Sequence, residues 1–114
     1  MKVLITGGLG FIGSNLIRYL LAQSSDLQIT NVDNLSIGAN PHNLKDLKAS
    51  TRYRFIKGDI ADATLMAKLV RKHDVITNCA AETHVDRSIA NPRPFLKSNV
   101  FGVFTILEAL KRHN

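Results

Sequence analysis

Five residues, Lys2-Val3-Leu4-Ile5-Thr6, run without polar alternation and stop at Gly7-Gly8-Leu9-Gly10-Phe11-Ile12-Gly13. An unbroken apolar run of this length predicts a strand buried on both faces, as in a parallel sheet covered by helices. The glycines permit a sharp turn and a close approach of backbone to a ligand, because no Cβ stands in the way. Beyond them Ile12, Leu16, Ile17, Leu20 and Leu21 recur at helical spacing, so a helix is expected from Phe11 to Gln23. Such a turn aims the helix's free N–H groups and positive end at whatever lies above it, and that geometry suits an anion.

The same alternation continues. Strands are expected at Gln28–Val32, Tyr53–Lys57 and Val75–Cys79. Between the second and third lies a polar stretch, Asn34 to Pro41, and a short helix around His42–Lys48. Gly58-Asp59-Ile60 turns out of the third strand, and Asp62 suits the cap of a helix over Ala63–His73. Ala80–Asn91 reads as loop or short helix. Pro92 and Pro94 introduce a last helix, Phe95–Lys111, with Gly102 tolerated inside it. This order predicts an α/β fold: a Rossmann-like doubly wound parallel sheet with right-handed crossovers and strand order 3-2-1-4. It amounts to the first half of such a fold plus the fourth strand and its helix, so the fourth strand is expected as an open edge. Residues 1–114 are expected to form one domain, a partial dinucleotide-binding unit.

The glycine spacing is Gly7-x-x-Gly10-x-x-Gly13, and Asp33 ends the second strand about 20 residues further on, where a dinucleotide fingerprint places its acidic residue. A carboxylate there can accept both ribose hydroxyls and would repel a 2′-phosphate, so NAD is favoured over NADP. The bland alternative is a glycine turn without a ligand beside a solvated Asp33. The topology gathers Gly7–Gly13, Asp33, Asp59 and Ala80–Thr83 around one cleft at the carboxyl ends of the strands.

Composition narrows the remaining classes. With 45% hydrophobic and 21% charged residues the chain suits a folded soluble domain. No segment approaches the roughly 18 apolar residues of a membrane span. The net charge of +6 raises nucleic acid as a partner, but the basic residues look scattered and carry no interleaved aromatic residues for stacking. Neither nucleic acid nor membrane is therefore expected. The single cysteine, Cys79, sits in an apolar strand and reads as a buried inert thiol in a reducing cytoplasm. No metal site is expected: Glu82, His84 and Asp86 lack the pattern, and His42, His73 and His113 read as distant and solvated.

Thr6-Gly7-Gly8-Leu9-Gly10-Phe11-Ile12-Gly13-Ser14 resembles the T-G-G-x-G-F-I-G-S signature of the extended short-chain dehydrogenase/reductase (NAD-dependent epimerase/dehydratase) superfamily. Ala80-Ala81-Glu82-Thr83-His84-Val85-Asp86-Arg87-Ser88-Ile89 is similar to the A-A-E-S-H-V-D-R-S-I run of the dTDP-glucose 4,6-dehydratases, with Thr83 in place of Ser. Val32-Asp33-Asn34-Leu35, Gly58-Asp59-Ile60 and Pro94–Glu108 carry the likeness through the chain, which corresponds to the first part of a family member.

The resemblance implies a set of cofactor contacts. Phe11 and Ile12 would meet the pyrophosphate through their N–H groups. Asp33 would hold the adenine-side ribose, with Asn34, Leu35 and Ser36 beside it. Asp59 and Ile60 would meet the adenine, although Asp59 also reads as a plain turn residue. Cys79, Ala80, Ala81, Glu82 and Thr83 would line the nicotinamide half, with Ser98 near the same end and Asn99 a lesser candidate. Thr83 would also hydrogen-bond the sugar. Glu82, His84, Asp86 and Arg87 read equally as an ion-pair cluster bracing their loop.

The activity implied is conversion of dTDP-glucose to dTDP-4-keto-6-deoxyglucose: NAD takes hydride from C4, water leaves across C5–C6, and the hydride returns to C6. Its acid–base chemistry needs a Tyr and a Lys four apart on one helix. Tyr53-Arg54-Phe55-Ile56-Lys57 has that spacing but reads as a strand, where positions four apart lie roughly 13 Å from each other. No catalytic residue is therefore assigned, the family's pair is expected beyond Asn114, and the chain alone is expected to be inactive. Two other identities fit less well: part of a UDP-sugar epimerase or decarboxylase, or a short non-catalytic NAD-binding module. The last helix resembles one that pairs across the family's dimer interface, which implies a homodimer.

Overall fold

The computed structural model describes residues 1–36, 38–82 and 85–113. Four parallel strands, β1 (Lys2–Thr6), β2 (Gln28–Asp33), β3 (Tyr53–Lys57) and β4 (Val75–Asn78), lie in the order β3-β2-β1-β4. The expected topology is therefore present. β1 is central, with Val3 opposite both Ile29 and Val75, and its residues Val3 to Thr6 are all buried. This is why its sequence does not alternate. Leu4 and Val32 point into a core with Met66, Leu69 and Val70 of α2 (Ala63–Val70). Val3, Ile5 and Ile29 point the other way, onto Ile17 and Leu21 of α1 (Phe11–Gln23). β2 runs one residue longer than expected because Asp33 stays in register with Lys57.

Three expectations are corrected. The helix after Asp62 stops at Val70, not His73, because Lys72 and His73 donate their N–H groups to Leu69 O and Val70 O in tighter turns. His73 is not solvated: its ring bridges Leu69 O at 2.7 Å and Thr30 Oγ1 at 2.9 Å. The last helix runs unbroken from Arg93 to His113, longer than expected at both ends, but it is not uniformly α. After α3 (Val85–Ala90) come α4 (Arg93–Leu96), a π-helical turn over Lys97–Gly102, and α5 (Val103–His113). Gly102 is not merely tolerated. A Cβ there would stand 2.3 Å from Ile60 Cδ1, so the wider turn ends where it packs on the β3–α2 connection.

A kinked 3-10 helix over Pro41–Ala49 fills the β2–β3 crossover and buries Leu44. Asp62 caps α2 as expected, accepting from Leu65 N–H at 3.1 Å. β4 forms one edge of the sheet, and Val75 on it is exposed. Phe101, Phe104 and Leu107 leave an exposed apolar face around the start and middle of α5. Among the described residues no helix is long and apolar enough to cross a membrane.

Candidate functional site

A cleft of about 490 Å³ opens at the carboxyl ends of β1, β2 and β4. Its size suits a small-molecule ligand. Gly7, Gly10, Phe11, Ile12 and Gly13 line it from the turn after β1. Asp33, Asn34 and Ser36 line it from β2, Ile60 from the β3–α2 turn, Cys79, Ala80 and Ala81 from the end of β4, and Ser98 from the π-helical turn. Leu35, Asp59 and Glu82 stand off its wall. Thr83 and His84, and with them the assignment of a sugar contact, fall outside the described residues. Sequence reasoning missed Gly38 and Ala39, which close the cleft beside Ser36. The signal was the glycine in the polar stretch: Gly38 has φ +97°.

The three spaced glycines have two different jobs. Gly7 has φ +68°, and a Cβ there would stand 2.6 Å from the backbone of Ala80. A Cβ on Gly13 would stand 2.3 Å from Gly7 O. Both glycines let chain segments touch. Gly10 is different: its Cβ would meet only Gly7 O, at 3.4 Å, and otherwise project into open space at the cleft wall. A bare backbone therefore forms a cradle at the start of α1. Gly10 caps that helix without a side-chain bond, and its first turn holds no acidic residue. The first N–H groups of a helix have no partner within it. The residues present thus fit a phosphate-bearing cofactor.

Asp33 is only 6% exposed. Its Oδ2 accepts from Leu9 N–H at 3.0 Å and its Oδ1 from Leu35 N–H at 2.8 Å. A carboxylate has about four acceptor positions, so both oxygens keep capacity for hydroxyls in the cleft. The bond to Leu35 holds that residue at φ +61°, a left-handed conformation unusual for leucine. Asn34 accepts from Ser36 N–H at 3.0 Å and shapes the same corner.

Asp59 serves its turn, accepting from Ala61 N–H at 2.9 Å, and pairs with Lys97 at 3.0 Å. Lys97 carried no signal in the sequence, because only the π-helical turn brings it to Asp59. Asn99 ties the loop after β4 to that turn: it accepts from Glu82 N–H at 2.9 Å and donates to Glu82 O at 3.0 Å. Tyr53 and Lys57 sit at opposite ends of β3, so their spacing makes no helical pair. The basic residues are less scattered than their sequence positions suggest. Lys2, Arg52, Arg54, Lys68 and Lys72 line a second cleft, of about 360 Å³, beside the amino ends of the strands. Among the described residues no three His, Cys, Asp or Glu side chains could hold a metal ion.

Burial pushes the Cys79 thiol up from its ordinary range. Alkylation is expected to be slower at neutral pH than that of a free thiol, with its midpoint above the usual value of about 8.5. A pH series of iodoacetamide modification rates checks this.

The family model for GDP-mannose 4,6 dehydratase matches residues 4–114. The dTDP-glucose 4,6-dehydratase of Mycolicibacterium smegmatis is 45% identical over 114 residues, which is all of this chain and 34% of that protein. The structure of DesIV, a dTDP-glucose 4,6-dehydratase from Streptomyces venezuelae crystallised with NAD, superposes with a TM-score of 0.92 at 42% identity, covering 99% of this chain and 36% of that one. A UDP-glucose 4-epimerase from Thermotoga maritima superposes with a TM-score of 0.84 at 29% identity, covering 100% of this chain and 35% of that one. The chain spans about a third of the length of the curated relatives it matches.

Proposed function

We infer the function from one premise: this chain belongs to the GDP-mannose 4,6 dehydratase family. On that premise we propose that residues 1–114 are the NAD-holding portion of a nucleotide-sugar 4,6-dehydratase acting on dTDP-glucose. The observation that carries the proposal is the shared cleft, in which the bare cradle of Gly10 faces the same space as the buried carboxylate of Asp33. Higher identity to the dehydratases than to the epimerase supports the choice of reaction.

In this reading Phe11 and Ile12 N–H groups meet the pyrophosphate at the positive end of α1. Asp33 accepts from the ribose hydroxyls, and its charge repels a 2′-phosphate. Asp59 and Ile60 lie toward the adenine, with Lys97 holding one oxygen of Asp59. Cys79, Ala80, Ala81 and Ser98 line the nicotinamide half, with Glu82 behind them. Bound NAD supplies the hydride acceptor. The sugar's proton transfers need a helical Tyr-Lys pair, which Tyr53 and Lys57 do not form. The exposed face of Phe101, Phe104 and Leu107 supports self-association as a homodimer. A reducing cytoplasm is the compartment that suits the lone thiol.

Calorimetric titration of the purified chain with NAD and with NADP tests this. Saturable NAD binding is expected, about five- to thirtyfold tighter than NADP, since one charge repulsion of about 1–2 kcal/mol separates them. The same preparation is expected to show no turnover of dTDP-glucose. Equal affinity for the two cofactors, or binding of neither, would overturn the assignment.

A further inference from the structure

We propose that Asn31 and Tyr53 are positioning residues that hold the glycine turn in its anion-accepting shape; this rests on the cofactor role given to that turn. Asn31 lies on β2, between Ile5 of β1 and Phe55 of β3, and is fully buried. A buried carboxamide at the centre of a sheet persists only when its bonds are made. Both ends of this one are. Its Oδ1 accepts from Gly8 N–H at 2.9 Å, and its Nδ2 donates to the Tyr53 hydroxyl at 3.1 Å. The fit at Gly8 is close: a Cβ there would stand 2.3 Å from Asn31 Oδ1.

Two residues along the strand, Asp33 takes the next N–H, that of Leu9. Two successive N–H groups of the turn are thus anchored inward on β2. The Gly8 N–H, which can only donate, turns the Asn31 oxygen toward the turn, and the Tyr53 hydroxyl accepts from the amide nitrogen on the other side and holds the carboxamide in that rotamer. Burial pushes the Tyr53 phenol up; the bond from Asn31 opposes this and the Asp33 charge adds to it, and the net shift is upward, so the hydroxyl stays protonated across the neutral range. This gives the tyrosine of the Tyr53-x-x-x-Lys57 spacing a task unrelated to proton transfer from substrate.

The test compares the wild-type chain with Tyr53→Phe and Asn31→Leu. Each is titrated with NAD and with adenosine, which lacks the pyrophosphate, and hydrogen exchange at the Gly8 amide is followed by NMR. NAD affinity is expected to fall about threefold in Tyr53→Phe and about tenfold or more in Asn31→Leu, from one lost or unsatisfied hydrogen bond. Adenosine affinity is expected to change less than about twofold, whereas a purely structural role would weaken both ligands together. Gly8 exchange is expected to be faster in Tyr53→Phe. Should Asn31→Leu not fold, Tyr53→Phe carries the decision. A folded Tyr53→Phe with wild-type NAD affinity and wild-type Gly8 exchange overturns the proposal. Should the wild-type chain bind neither ligand, the cofactor reading falls, and Gly8 exchange alone decides whether the pair holds the turn.

Discussion

Gly7→Ala is expected to lower the unfolding free energy by about 2–5 kcal/mol, from about 1–2 for a left-handed alanine and about 1–3 for overpacking. The overpacking is against backbone, which cannot swing aside: the new Cβ would stand 2.6 Å from both Ala80 Cα and Ala80 N. Movement of Ala80 would disturb the end of β4, and movement of Gly7 would strain its bond to Val32 O at 2.8 Å. A urea titration reads the loss directly. Gly10→Ala is the matched control. Gly10 has φ −78°, which alanine adopts freely, and its Cβ meets nothing closer than 3.4 Å. Its stability is expected to stay within about 1 kcal/mol of wild type. Its NAD affinity is expected to fall about 10–100-fold, because the methyl group occupies the cradle and displaces charge-assisted bonds. Equal destabilisation by the two substitutions would show that the glycines have one job, not two.

Asp33→Ala is expected to act on stability and on ligand choice at once. It removes the acceptor for both Leu9 and Leu35 N–H groups in a buried position. A stability loss of about 3–6 kcal/mol is expected, since two bonds to a charged group are lost and each is worth about 1.5–3 kcal/mol. NAD affinity is expected to fall about 100-fold, and the preference over NADP to disappear with the charge. Asp33→Asn separates these effects, because its oxygen can still serve one of the two N–H groups while the charge is gone. Urea titration and paired NAD and NADP titrations of both variants provide the readout. Survival of the NAD preference in Asp33→Ala would place the discrimination elsewhere in the cleft.

What could be read ahead of the structure follows from where the physical signal lies. β1 was legible because burial on both faces leaves the run Val3-Leu4-Ile5, and the turn was legible because glycines mark it. Asp62 announced its cap by residue type. The π-helical turn was not legible, since Lys97–Gly102 has the composition of an ordinary helix. The Asp59–Lys97 and Glu82–Asn99 contacts depend on that turn and were hidden with it. Asn31 was passed over because one polar residue in a short strand has no periodicity to betray it. Its importance lies in a partner 23 residues away.

The strand order has a consequence for how the molecule is made. β1 emerges first from the ribosome, yet β4, its neighbour on one side, follows some 72 residues later, the separation of the paired Thr6 and Asn78. Until then the most apolar strand of the chain has one unpaired edge, open to the wrong partner. Closing so long a loop makes that pairing slow. Ala80, against which Gly7 packs, arrives with β4, so the glycine turn is anchored on β2 alone until β4 docks. Nascent chains halted short of β4 therefore carry the signature motif with one side of its turn unsupported.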